Sequence, residues 1–179
     1  MRFDPTIIKN GGMIAYPTEA VYGLGCDPFN QQAVQRLLKI KQRPEHKGFI
    51  LIVSTWAQMQ ALVQLPEAKI LAKVKATWPG PVTWLFPASP DLPPWINGGQ
   101  TSVAIRMTNH PIAKSICDSI DQALISTSAN LFGQAALTTC EQVQKTFGDQ
   151  IDYIVSGSVG DLKRPTMIRE VSSGSIVRG

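Results

Sequence analysis

The run FILIV at positions 49–53 constrains the fold more than any other segment. It carries no polar residue on either alternating face, and it is too short for a core helix or a membrane span. With Gly48 it reads as a strand over 48–53 that is buried on both sides. Such a strand needs helices above and below its sheet, and the flanks supply them. Upstream, Asn30 caps a segment with Ala33, Val34, Leu37, Leu38 and Lys41 at helical spacing. Downstream, Ser54 offers a cap for a second helix, and Pro66 suits the first turn of a third that reaches about Trp78.

The same alternation runs along the chain. Strands are predicted at 13–16, 82–86, 102–106 and 123–126, with short ones near 153–155, 167–169 and 175–177. Further helices are predicted at 4–9, from Pro111 onward, and after Thr138-Thr-Cys-Glu141, a capping box with Gly148 as its stop. WPGP at 78–81 is a turn, residues 87–101 are a Pro/Gly-rich loop, and YGLGCDPFN is a Gly-rich passage between elements. The expectation is one α/β domain over residues 1–179, built on a mixed sheet flanked by helices. Its ligands should bind at loops that follow strands.

A hydrophobic share of 44% over 179 residues is enough for a sizeable core. The N-terminal MRFDPTIIKN has no apolar leader core, and no run approaches the roughly 20 apolar residues of a membrane span. No membrane partner is expected. Cys26, Cys117 and Cys140 are odd in number, scattered, and form no C-x-x-C, which disfavours a disulfide framework or a zinc knuckle and suits the reducing cytoplasm.

The chemical inventory excludes several classes. There is no Walker loop, no G-x-G-x-x-G, no G-x-S-x-G elbow, and neither His46 nor His110 sits in a metal-ligand pattern. His110, just before Pro111, reads as a helix-entry residue. What remains is a set of polar clusters, each closing an apolar strand: Tyr16-Pro17-Thr18-Glu19, Arg106 after SVAI, and Ser126-Thr127-Ser128-Ala129-Asn130. Beside them stands KIKQRPEHKG at 39–48, with Lys39, Lys41, Arg43, Lys47 and a titratable His46 against Glu45 alone. Each has a plain structural reading: a hydroxyl-rich turn, an ion-pair partner, a solvated surface. Together, with a net charge of +4, they suit an anionic partner. Lys41, Arg43 and Lys47 bring charge for a polyphosphate, Arg106 can clamp a carboxylate bidentately, and the hydroxyl loop adds neutral donors. That mixture fits a small carboxylate substrate beside a nucleoside triphosphate.

These residues carry a resemblance. YPTEAVYGLGCD, KIKQRP with Lys47, WPGPVTWLF, SVAIR, STSAN and the closing RPTMIREVSSGSIVRG are similar, in that order, to the YrdC/TsaC family, whose K-x-R and S-x-N patterns fall on Lys41-Gln-Arg43 and Ser128-Ala-Asn130. The resemblance runs from about residue 11 to the C-terminus and looks like the family's short, single-domain form. It implies an α/β fold of the α+β type: a twisted mixed sheet, flanked by helices, with a basic concave face. It implies threonylcarbamoyl-AMP synthesis from L-threonine, bicarbonate or CO2, and ATP, with pyrophosphate released and Mg2+ arriving with the ATP. The product would serve N6-threonylcarbamoylation of tRNA adenosine, with contact to the transferase complex that uses it. The resemblance places Thr18, Arg106, Ser126 and Thr166 on threonine. It places Lys41, Arg43, Lys47, Ser102, Ser128, Asn130 and Arg178 on ATP, with Lys41 and Arg43 as the catalytic cations. No protein-held metal is implied.

The sequence departs from the family at Pro165-Thr166-Met167-Ile168, where Pro-Ser-Thr-Ile is common, and at Ile52, where many longer members have histidine. The rival class is a module for double-stranded RNA or tRNA. An RNA module needs cations spread over a face, whereas an enzyme needs them beside STSAN. Their placement at strand ends favours the enzyme.

Overall fold

The FILIV run forms β3 (Ile50–Val53) in the middle of a nine-stranded sheet of order β7-β1-β2-β6-β3-β5-β4-β8-β9. The computed structural model describes residues 3–164 and 166–178. The other strands are β1 (Ile14–Pro17), β2 (Tyr22–Gly25), β4 (Val82–Pro87), β5 (Ser102–Met107), β6 (Leu124–Ser128), β7 (Tyr153–Ile154), β8 (Met167–Glu170) and β9 (Ile176–Arg178). The sheet is mixed: β3 runs parallel to β5 and antiparallel to β6, and β4 runs antiparallel to β5 and parallel to β8.

Register decides which side chains share a face. Ile52 lies opposite Arg106, Ile50 lies opposite both Ala104 and Ser126, and Gly23 lies opposite Ser128 and Tyr16. On this face Tyr16, Ile52 and Leu124 pack under Ala113, Ile116 and Ile120 of α6 (Pro111–Ile120). The opposite face, with Leu24, Leu51, Val53, Ile105 and Ile125, meets Val34, Leu37 and Leu38 of α2 (Gln31–Lys41) and Val143 and Phe147 of α7 (Cys140–Phe147) in the larger core. Polar residues at the strand ends therefore emerge on the α6 face, just beyond its apolar cover.

Local signals explain most elements. The Asn30 side chain accepts from the Ala33 amide at 3.0 Å and starts α2. His110 sits at the N-cap of α6 with Pro111 in its first turn, as the sequence suggests. Several expectations need correcting. The Gly-rich passage contains a strand, β2, because its glycines let it pack closely: a Cβ on Gly25 would collide with the Ile125 carbonyl oxygen. The capping box is formed one residue later than expected, by Thr139 and Gln142, since Thr139 holds the extended N-cap conformation. The loop at 87–101 contains a helical turn, α5 (Pro94–Asn97). After β3, Ser54 does not cap α3 (Ala57–Gln60), whose N-cap is Trp56, and α4 (Ala68–Lys75) ends before Trp78. The first helix, α1, is shortened to Thr6–Lys9. Among the described residues no helix is long and apolar enough to cross a membrane, and Cys26, Cys117 and Cys140 are unpaired.

Candidate active site

On the α6 face, where β2, β6, β3 and β5 end, lies a cavity of about 340 Å3. Its floor is open because position 23 is glycine: a Cβ there would sit 3.3 Å from Thr18 Cγ2 and 3.6 Å from Ser126 Oγ, inside the space the cavity occupies.

The basic stretch is built into one wall by the way α2 ends. Gln42 takes the left-handed conformation at φ 53, and the Arg43 amide donates back to the Leu38 carbonyl, so the chain turns sharply out of the helix. A 3-10 turn at Glu45–Lys47 follows, and then Gly48 at φ 53. Here two loops meet backbone against backbone: a Cβ on Gly48 would lie 2.6 Å from the Asn97 carbonyl carbon, and one on Gly98 would lie 2.5 Å from the His46 oxygen. The Phe49 amide donates to the Ile96 carbonyl at 2.9 Å and locks the junction. Within it, Arg43 donates through Nε and Nη2 to the Gly48 carbonyl at 3.2 and 2.9 Å, and its guanidinium lies 5.4 Å from the centroid of the Phe49 ring. The cation is held, not free.

Lys41, at the end of α2, is buried and reaches the hydroxyl loop from behind. Its Nζ donates to the Ser128 carbonyl, to the Asn130 carbonyl at 2.8 Å and to Asn130 Oδ1 at 3.3 Å. Asn130 completes the knot: its Oδ1 accepts from Ser128 Oγ at 2.6 Å, and its Nδ2 donates to the Gln134 carbonyl at 2.8 Å. Burial, and then the neighbouring Arg43, pull the Lys41 pKa down from its ordinary 10.5 to about 8.

The other wall centres on Arg106. Its Nη2 pairs with Glu19 Oε2 at 3.0 Å, both side chains being almost wholly buried, and its Nη1 donates to Thr166 Oγ1 at 3.0 Å. The Thr166 hydroxyl also meets Thr83 Oγ1 at 3.3 Å, and the Thr166 carbonyl accepts from Arg178 Nη2 at 3.4 Å. Thr18 is fixed by donating to the Val21 carbonyl at 2.7 Å. The cations crowd one another. Burial, then the charge of Arg178, lowers the Arg43 pKa, and burial, then Arg106, lowers that of Arg178. No carboxylate stands in the cavity wall among the described residues. Like charges held this close, with one buried counterion, form a receptor for an anion.

The expected threonine residues Thr18, Arg106, Ser126 and Thr166 all line the cavity, as do Arg43, Ser128, Asn130 and Arg178 of the expected ATP set. Lys41 stands behind the wall. Lys47 and Ser102 are not part of it: Lys47 Nζ sits 4.6 Å from the ring centroid of exposed Phe132, and the Ser102 carbonyl accepts from Asn97 Nδ2 at 3.3 Å, bracing α5. Ile52 is fully buried under α6 and belongs to the apolar cluster of that face. Gln134 and Ala136 also line the cavity. They come from a loop without periodicity or motif, and no sequence signal marks them. Glu19 adjoins Thr18 in the chain, and no sequence feature assigns it a partner.

Comparison with known proteins agrees with this geometry. The family model Sua5_yciO_yrdC, described as Telomere recombination, matches residues 6–178. A Coxiella burnetii protein named Threonylcarbamoyl-AMP synthase is 50% identical over 171 residues, covering 96% of this chain and 92% of its own length. One of the same name from Nitrosococcus oceani is 44% identical over 178 residues, covering 99% of this chain and 96% of itself. Among solved structures, P. abyssi Sua5 complexed with L-threonine superposes with a TM-score of 0.91 at 27% identity. The match covers 99% of this chain but only 55% of that one, so the present chain spans about half of it. E. coli YciO, at 23% identity and a TM-score of 0.85 over 97% of this chain and 85% of its own, shares the fold. Since one family model spans residues 6–178 and relatives at 44–50% identity align along nearly the whole length, the chain belongs to the Sua5/YciO/YrdC family.

Proposed function

We propose that this protein is a threonylcarbamoyl-AMP synthase, joining L-threonine, CO2 drawn from bicarbonate, and ATP, and releasing pyrophosphate. The observation that carries the reading is the convergence of Arg43, Arg106 and Arg178 on one cavity that also presents the hydroxyls of Thr18, Ser126 and Ser128. In this reading Arg106 takes the threonine carboxylate, and Thr18, Ser126 and Thr166 surround the rest of the amino acid. Arg43 and Arg178, with Ser128 and Asn130, face the triphosphate. Lys41 acts from behind the 128–130 loop, and Lys47 joins only if a ligand draws it from Phe132. The neutral amine attacks CO2 to give a carbamate. A carbamate oxygen then attacks the α-phosphorus in line as pyrophosphate leaves. Positioning and fixed charge suffice for such a transfer, and no covalent nucleophile is needed.

Among the described residues there is no cluster of three or more metal-ligating side chains. With no carboxylate in the wall, Mg2+ would be held by the ATP phosphates and water, as part of the substrate. The product would pass to tRNA through a transferase complex in the cytoplasm. An RNA-binding module would need its cations over a broad face, whereas these converge on a cavity with the dimensions of a small-molecule site. Pyrophosphate release that requires both threonine and bicarbonate, with label from bicarbonate in the adenylate, tests the reading. Product formed equally well in carbonate-free buffer would overturn it.

The depressed Lys41 pKa gives a pH signature. Its ammonium favours a triphosphate only while protonated, so ATP affinity should fall as pH rises through about 8. Lys41→Arg stays charged throughout and should bind ATP without that inflection. For the ligand-free protein the sign reverses. Between about 8 and the ordinary 10.5 the unfolded chain holds the proton more tightly than the folded one, so stability should increase with pH across that window. Calorimetric titration of ATP from pH 7 to 9.5 (roughly the range spanning this step) checks the first effect, and urea unfolding checks the second.

A further inference from the structure

We infer that Glu19 is a positioning residue for the substrate carboxylate: it holds the Arg106 guanidinium so that its remaining donors face the cavity. The inference rests on Arg106 being the carboxylate receptor. It assigns a role to a residue that does not line the cavity at all.

Glu19 itself is fixed from three sides. Its Oε1 accepts from Thr108 Oγ1 at 2.6 Å, and Thr108 is in turn anchored where its amide donates to the Val53 carbonyl at 3.1 Å. The Glu19 carbonyl accepts from the Leu162 amide at 3.1 Å, and the Thr18 carbonyl accepts from the Gly160 amide at 2.9 Å. Gly160 is glycine because a Cβ there would lie 2.7 Å from the Glu19 oxygen. The backbone of Glu19 is thus pinned to the 160–162 segment while one carboxylate oxygen is held by Thr108, which fixes both ends of the side chain that faces Arg106.

Arginine has five N–H donors. Nη2 forms an ion pair with Glu19 Oε2 at 3.0 Å without hydrogen-bond geometry, and Thr166 Oγ1 accepts from Nη1 at 3.0 Å. The Nε–H is buried and has no partner among the described residues, although Arg106 lines the cavity. An unpaired buried donor is costly until something accepts from it, and a carboxylate in the cavity would supply that acceptor. Glu19 also brings a cost, because it places a second carboxylate near the first. Two effects therefore compete: Glu19 orients the fork, and it repels the substrate. Orientation should win, because the long arginine side chain loses its bidentate geometry once it can swing, while the bridging guanidinium offsets most of the repulsion.

Two substitutions separate these effects. Glu19→Asp keeps the charge but is one methylene too short to reach both Thr108 and Arg106. Glu19→Gln keeps the length but loses the charge. If Glu19 positions Arg106, both variants should bind threonine at least tenfold more weakly, with ATP affinity changed less than threefold (roughly the loss expected when a supporting residue is disturbed). If repulsion dominates, Glu19→Gln binds threonine more tightly and Glu19→Asp is unchanged, which overturns the proposal. A merely structural role lowers the melting temperature of both while leaving threonine and ATP affinities in the wild-type ratio, which also overturns it. Thr108→Val removes the hydroxyl that aligns Glu19, and with it the acceptor of the His110 amide at 3.2 Å; it should weaken threonine in the same sense and serves if the Glu19 variants do not fold. Affinities are measured by calorimetry on the intact protein, with wild type in parallel. Wild-type protein that binds ATP but no threonine would refute the function assigned above, whereas threonine binding undisturbed in all three variants would refute the role of Glu19 alone.

Discussion

Arg106→Ala is expected to lower kcat/KM for threonine by roughly 1.5 to 3.5 decades and to destabilise the fold at the same time. Removing one member of a buried pair strands the other, and the typical cost is about 3–5 kcal/mol. Here the stranded group is Glu19, whose Oε2 loses its cationic partner while Oε1 stays tied to Thr108. The activity loss comes from the missing clamp on the carboxylate, roughly 2–5 kcal/mol for a desolvated charge-assisted contact. The double variant Arg106→Ala/Glu19→Gln tells the two losses apart. It removes the uncompensated charge, so its urea midpoint should recover most of the way towards wild type, while turnover stays as low as in the single variant. Recovery of both would mean that Arg106 serves only the fold.

Arg43→Ala should reduce kcat/KM by one to two decades, corresponding to about 1.5–3 kcal/mol for a hydrogen bond to a charged group, with little change in stability. Its guanidinium lies at the cavity, tied only to the Gly48 and Lys47 carbonyls and the Phe49 ring. Arg43→Lys should recover part of the activity. An ammonium restores the charge, but it cannot donate to Gly48 and still present a planar fork to a phosphate. Steady-state pyrophosphate release with ATP varied gives the answer. A protein whose purpose was to bind RNA would show salt-sensitive loss of RNA affinity in these variants, with normal threonine-dependent turnover.

The chain's strands were largely legible because each is a short apolar run with a polar end, and that pattern also marked Thr18, Arg106 and Ser126, which line the cavity, as candidates. β2 escaped because Gly23 and Gly25 carry no side chain to signal burial. They are glycine for reasons that exist only in three dimensions, the proximity of Thr18 and Ser126 to one and of the Ile125 carbonyl to the other. The basic stretch showed charge but not aim. Lys41 and Lys47 are lysines of one basic stretch, yet the first, ending α2, is swallowed behind Asn130 and the second rests on Phe132. Which way each turns depends on the left-handed residue at 42 and on contact with α5, about fifty residues away in sequence. Glu19 adjoins Thr18 in the chain, but its partnership with Arg106 joins the loop after β1 to β5, a contact far apart in sequence. The capping box was displaced by one position because two consecutive threonines offer nearly equal caps, and only the backbone conformation at Thr139 decides between them.

The strand order also has a consequence in time. β6 is inserted between β2 and β3, and β8 is laid against β4, so the cavity joins Thr18 to Thr166 and Arg178. During synthesis the ribosome releases Arg43 and its loop long before the strands that complete the receptor. A growing chain therefore carries clustered cations and the open flank of β3 with neither substrate nor neighbour to cover them. Such non-local closure is slow, and the waiting intermediate is prone to association. Activity should appear abruptly, with the arrival of the last two strands, and no shorter nascent chain should have any.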